Sequence, residues 1–208
     1  MGAFKGGLTV RRFRVEDDPP DGFRDAYLKA LAARKAHPIR PEEDVDRASG
    51  WTVCGRLLDT DFDLAKVFWN DYLVVTHRTD SLRIPAALLE AHAQEREEMV
   101  IAERGEDNLS RQERSEIKEL VRRELRRKML PTMKAVDVVW SISRRRVWVW
   151  TQNQSALDEI QDLFLQTFGK NLLSEDPYSA ADLAGWGERK GSPLNHVDPA
   201  EFAGGEGA

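Results

Sequence analysis

Between Ser110 and Thr151 the apolar pattern changes period at Pro131. From 110 to 129, Ile117, Leu120 or Val121, Leu125 and Met129 recur at helical spacing, which predicts a helix with one buried stripe. Ser110-Arg111-Gln112-Glu113 is a capping-box pattern at its start, and Pro131 stops it. The apolar run AVDVVWSI follows, then Arg144, Arg145 and Arg146, then VWVWT. This reads as strand, tight turn, strand. A second charged helix precedes Ser110. It opens on Pro85, runs to about Arg104 with Leu88, Leu89, His92, Met99 and Val100 as a partial apolar face, and stops at Gly105. Two long charged helices joined by a short loop predict a projecting helical hairpin over residues 84–130.

The flanking pattern predicts the rest. Residues 4–15 alternate, with Leu8, Val10 and Arg12 on one face and Thr9, Arg11 and Phe13 on the other, as a strand would. Asp18-Pro19-Pro20 breaks it. Phe23, Tyr27, Leu28 and Leu31 make the apolar face of a helix over 22–36. A polar loop over 37–50 leads to an extended segment over 51–58. Residues 66–78 read as a hairpin turning at Asn70-Asp71. After the Trp-rich strands, Ser155 opens a last helix with Leu157, Ile160, Phe164 and Phe168 on one face and Gly169 at its end. The predicted fold is α/β (α+β): a mixed or antiparallel β-sheet with packed helices and a projecting long helical hairpin. Residues 1–83 and 131–175 build the sheet domain and 84–130 the hairpin. Residues 176–208 form an acidic tail, expected to be disordered on composition.

Charge adds a location. The chain holds 31 Lys/Arg and 36 Asp/Glu, a net of −5, which alone argues weakly against nucleic acid. Residues 111–150, however, carry twelve Lys/Arg against five Asp/Glu, a net of +7, and three of the six tryptophans. Screening confines fields to roughly 10 Å at moderate salt, so a basic band attracts phosphate locally even in an acidic chain. The single cysteine, Cys54, fits a reducing cytoplasm, and no apolar run of the ~18 residues a membrane span needs is present. No secretory leader is recognisable at the start.

Arg114, Lys118, Arg122 and Arg126 are spaced by four and form one stripe on the predicted helix, widened by Arg111, Arg123, Arg127 and Lys128. Long cationic side chains in such an array suit phosphate contacts. The alternative is a solvated face with Glu119–Arg123 and Glu124–Lys128 pairs. Arg144, Arg145 and Arg146 crowd one turn, which needs solvent or an anion. Trp140, Trp148 and Trp150 suit core or dimer packing, or base stacking. Catalytic readings are poor. The histidines show no ligand spacing, Asp59, Asp61 and Asp63 lack the glycine and terminal glutamate of a calcium loop, and Glu116-Ile117-Lys118 matches a nuclease acid-x-Lys pattern in a helical context.

The landmarks Phe4-Lys5-Gly6, Arg11-Arg12-Phe13, Gly50-Trp51, Arg83-Ile84-Pro85, Leu130-Pro131, Asp137, Trp140, Ser155 and Gly169 occur in an order that resembles the recombination-associated protein RdgC family. The resemblance covers residues 3–175. The family reads Leu-Pro-Arg-Ala-Phe where this chain has Leu130-Pro131-Thr132-Met133-Lys134, and the family's C-terminal third is expected to be missing. The resemblance implies a non-enzymatic, sequence-nonspecific DNA-binding homodimer, cytoplasmic and nucleoid-associated, that antagonises a recombinase by occupying duplex DNA. Double-stranded DNA is the expected partner, with single-stranded DNA as an alternative, and no cofactor, metal or membrane is expected. The residues of the stripe and of the arginine turn are the expected contacts. Two other readings stand beside it: a homodimeric protein-interaction module without DNA binding, and a small metal-dependent nuclease.

Overall fold

The computed structural model describes residues 2–4, 7, 9–40, 42–43, 45–105, 108–175 and 181. The elements are β1 (Arg11–Val15), α1 (Phe23–Ala33), β2 (Arg47–Val53), α2 (Leu64–Val67), β3 (Phe68–Trp69), β4 (Tyr72–Ser81), α3 (Ala86–Arg104), α4 (Arg111–Lys128), β5 (Thr132–Ser141), β6 (Arg146–Val149), α5 (Gln154–Phe168) and β7 (Leu172–Ser174). The pairings between these strands are all antiparallel, in the order β2-β4-β5-β6-β1-β7, with β3 beside the first residues of β4. The fold is α+β, as the periodicities predict.

The sheet's two faces follow from side-chain alternation. Phe13, Val15, Trp51, Val53, Leu73, Val75, Val138, Trp140, Val147 and Val149 are buried with Tyr27 and Leu31 of α1 and Leu157, Ile160, Phe164 and Phe168 of α5. Nearly all of them belong to one continuous core. Aromatic rings organise it. Tyr27 stacks on Trp140 at 5.4 Å, and Phe168 meets Trp140 edge-on at 5.5 Å. Trp51 is fully buried, and its indole N–H donates to Thr167 Oγ1 at 2.8 Å, so its polar atom is satisfied. The other face is partly covered by residues 2–4. Ala3 N donates to Asp137 Oδ2 at 2.8 Å, and the Phe4 ring lies 5.3 Å from Trp69.

Several boundaries differ from those predicted. The first strand is only Arg11–Val15, because the chain before it crosses the sheet face instead of extending an edge. Strand β2 begins at Arg47 and ends at Val53. Long β4 pairs as far as Ser81, which draws polar residues 47–50 into the ladder, and Val53 N turns back to Asp59 O at 2.9 Å. Helix α1 stops at Ala33 because the next residues pair with β2, Trp51 N donating to Arg34 O and Ala36 N to Trp51 O. Asn153, not Ser155, caps α5: its Oδ1 accepts from Ala156 N at 3.0 Å. Strand β7 carries no signal of its own in the sequence; it exists by pairing with β1, with Leu173 opposite Arg14. The tail expected over 176–208 lies outside the described residues, apart from 181.

Gly50 marks where that edge closes. A Cβ there would sit 2.5 Å from Ala36 N and 2.6 Å from Ala36 Cα, both backbone atoms. Gly50→Ala should therefore cost about 1–3 kcal/mol through overpacking, read as a lowered urea midpoint. An unchanged midpoint would mean that the 34–36 segment yields freely.

Candidate nucleic-acid interface

Helices α3 and α4 form the projecting hairpin around a small core of their own, Leu89, Val121 and Leu125 with Ile84 and Ile117 against them. Leu120, an alternative in the predicted stripe, is 48% exposed. Both ends are set by local chemistry. Gly105, at φ 67°, closes α3 with its N–H on Ile101 O. The capping box opens α4: Ser110 Oγ accepts from Glu113 N at 3.2 Å, and Ser110 N donates to Glu113 Oε2 at 2.8 Å. The bonds from the Ser110 side chain and backbone, with Arg104 beside them, hold the Glu113 carboxyl down at about 2.

The antiparallel arrangement brings α3 carboxylates alongside the predicted cationic stripe. Arg114 Nε lies 3.8 Å from Glu97, Lys118 Nζ 2.6 Å from Glu90, and Arg122 Nε 3.6 Å from Glu119 on its own helix. Arg126 is withdrawn from solvent. Its side chain is 10% exposed, and it donates to the Asp46 carboxylate, to Glu43 O at 2.8 Å and to Val45 O at 2.5 Å. That guanidinium clamps the 43–46 loop to α4, so the four-residue spacing does not yield a continuous phosphate track. The pairings expected within α4 are also replaced: Glu119 meets Arg122, and Glu124 takes Arg96 of α3 at 3.1 Å. Four cations of the array remain available. Arg111, Arg123, Arg127 and Lys128 make no ion pair among the described residues, and all four are exposed. Three of these four lie in the last six residues of α4, at the sheet-proximal end of the hairpin, where they also complement the helix dipole.

The arginine turn divides by role. Arg145 holds a positive φ of 53°, donates to Glu16 O at 3.2 Å and lies 3.7 Å from Asp18, so it fixes the turn to the chain after β1. Arg146 lies 2.9 Å from Glu175. Arg144 is exposed beside Asp71. Burial would raise the Asp71 carboxyl, but hydrogen bonds from Ser143 and Ser141, with Arg144 nearby, hold it below the ordinary carboxylate value.

Strand pairing adds two cations that sequence reasoning missed. Arg12 stands opposite Trp148 and Arg14 opposite Arg146, on the sheet face away from the core. Two guanidinium side chains directly across a ladder repel, an arrangement eased by solvent or a bound anion. The signal was the alternation in Arg-Arg-Phe-Arg-Val, where Phe13 and Val15 fix the other arginines outward. Of the three tryptophans, Trp140 is wholly buried, whereas Trp148 and Trp150 are half-buried, with Tyr72 6.5 Å from Trp148.

The remaining candidate chemistry resolves locally. Lys66 Nζ lies 3.2, 3.5 and 3.8 Å from Asp59, Asp61 and Asp63, so an ammonium occupies the centre of the alternating aspartates. No group of three or more His, Cys, Asp or Glu with the arrangement to hold a metal occurs among the described residues. Glu116-Ile117-Lys118 lies within α4, and Lys118 is engaged by Glu90. The Cys54 thiol is pushed up to about 12 by burial and by Asp137. No helix among the described residues is long and apolar enough to cross a membrane.

Fold and surface together define an antiparallel α+β sheet protein bearing a charged helical hairpin, with unpaired cations gathered near the hairpin's base. Compared with protein-family models and with curated proteins, the chain matches none.

Proposed function

We propose that this chain is a sequence-nonspecific DNA-binding protein that regulates recombination by occupying duplex DNA. The observation that carries the reading is the cluster Arg123, Arg127 and Lys128. These side chains are without ion-pair partners among the described residues, in a hairpin whose other cations are mostly matched to carboxylates. Phosphate attraction is the chemistry such a cluster offers, and it carries no base preference. Arg14 and Arg144 form a separate positive area near the opposite end of β5, with Arg12 further along β1. The resemblance to the recombination-associated protein RdgC family supports the same reading. With it come the homodimer, the cytoplasmic, nucleoid-associated location and the antagonism of a recombinase.

Duplex DNA titrated at several salt concentrations tests this directly. The logarithm of affinity should fall linearly with the logarithm of salt concentration. Arg123→Glu with Arg127→Glu should weaken binding roughly tenfold or more on every sequence, and lower the salt slope by about one for each phosphate no longer neutralised. Absence of binding at the lowest salt would defeat the reading.

A second reading, a homodimeric interaction module without DNA binding, draws on a different observation. Leu130 is 87% exposed, Met133 46% and Leu88 36%, all at the sheet-proximal end of the hairpin. A chain that sediments as a dimer and ignores DNA would favour it.

A further inference from the structure

On the helix-covered side of the sheet, a cavity of about 470 Å³ opens where the start of α5 meets β4 and β5. His77 and Thr79 of β4 form its floor, and they are 1% and 7% exposed. Lys134 of β5 stands opposite Thr79 in the ladder, and Arg47 of β2 and Glu159 of α5 complete the lining. The cavity uses none of the cations assigned to DNA.

Its buried polar groups are unsatisfied. His77 Nε2 and Glu159 Oε2 are both buried without a hydrogen-bond partner. The Thr79 hydroxyl also makes no hydrogen bond among the described residues. Orphaned buried polar groups are uncommon because water or protein normally satisfies them. Two in one cavity, one of them an acceptor only, indicate a missing partner that both accepts and donates.

The α5 terminus supplies a donor. Asn153 N is used by Thr151 Oγ1, Ala156 N by Asn153 Oδ1 and Leu157 N by Asn153 O. Ser155, which lines the cavity, has a backbone N–H without a partner among the described residues, at the positive end of a 15-residue helix. Lys134 is exposed and unpaired, whereas Arg47 is held by Glu159 Oε1. Two cations against one carboxylate leave the lining positive. Burial lowers the His77 pKa to about 4, so the imidazole is neutral and offers one N–H and one acceptor nitrogen.

We propose that this cavity binds a small phosphate-type oxyanion, its oxygens held by Lys134 and the free N–H of Ser155 and an O–H donated to Glu159 Oε2. His77 and Thr79 provide the hydrogen-bonding floor. The volume of about 470 Å³ lies in the range of small-molecule sites, and inorganic phosphate, which keeps at least one O–H at neutral pH, carries the proton that Glu159 Oε2 would accept. Sulfate has the same shape but no proton at neutral pH, so Glu159 discriminates against it.

The test needs no DNA. Inorganic phosphate is titrated into protein carrying ¹⁵N-labelled histidine, with sulfate at matched ionic strength as comparator, and the His77 ring signals, assigned by their loss in His77→Gln, are followed. Phosphate should shift them saturably, and sulfate should bind roughly tenfold more weakly because it leaves the Glu159 acceptor unpaired. Lys134→Glu should abolish the shift and Lys134→Arg should retain it; because residue 134 is exposed, both variants should fold. Glu159→Gln should bring sulfate close to phosphate. No saturable shift, an equal response to both anions, or a response that survives Lys134→Glu would overturn the proposal.

Discussion

Replacing Asp80 with alanine is expected to lower folding stability by about 3 kcal/mol. Asp80 and Arg78 are 2% and 3% exposed, on the sheet face away from α1 and α5. Arg78 Nε donates to Asp80 Oδ1 at 2.7 Å, and a second bond from Nη2 to Oδ2 makes the pair bidentate. Arg78 Nη1 donates to Leu57 O at 3.0 Å, so the 54–63 loop is tied over the pair. Removing the carboxylate leaves a buried guanidinium with a single carbonyl partner, and an uncompensated buried charge is what makes such a loss large. The value lies at the low end of the usual range because one loop provides the cover. Replacing both residues together, Arg78→Met with Asp80→Leu, should recover most of the loss, since neither charge is then stranded. Urea unfolding reads both. A single-variant loss well under 1 kcal/mol would show that water reaches the pair.

The second large effect is an acid sensitivity centred on His77. An unfolded histidine titrates near 6.5, whereas burial holds the folded imidazole at about 4, with Arg47 pushing the same way and Glu159 opposing. The folded pKa is depressed, so below the unfolded value the unfolded chain binds the extra proton. Stability from this group is therefore fully present above about pH 6.5 and is lost as pH falls towards 4. At about 1.4 kcal/mol per pH unit the loss is on the order of 3 kcal/mol. Glu113 acts in a lower window: its contribution is present above its ordinary 4.5 and is lost as pH falls towards 2. Measured in phosphate-free buffer, His77→Gln should flatten the stability curve between pH 6.5 and 4.5. An unaltered slope in that variant would remove His77 as its source.

What was legible in the sequence was local. The capping box at Ser110 and Glu113, the glycine stops at 105 and 169, and the alternation that separates Val147 and Val149 from Trp148 each rest on neighbours within a few residues. Apart from the α5 cap, which is Asn153 rather than Ser155, most of what failed depended on distant partners. Strand β7 exists only because β1, near the other end of the chain, offers it an edge. The fate of Arg126 was equally hidden. Spacing placed it in a stripe with Arg122, but three oxygens of the 43–46 loop claim it. Lys118 and Arg114 followed the same logic: a helical wheel of α4 contains no α3, so it shows the charge without its neutralisation.

The carboxylate–cation pairs across the hairpin give salt two routes into any binding measurement. Added ions screen phosphate from Arg123, Arg127 and Lys128, and they also weaken the pairs Glu90–Lys118, Glu97–Arg114 and Arg96–Glu124 that brace α3 against α4. The hairpin's own apolar cluster is small, Leu89, Val121 and Leu125 with Ile84 and Ile117 against them, so the ion pairs add to its rigidity. A salt slope measured on the whole chain therefore counts displaced counterions and loosened helices together. The number of phosphates it implies is an upper bound, unless the hairpin is first locked by a covalent cross-link between its helices.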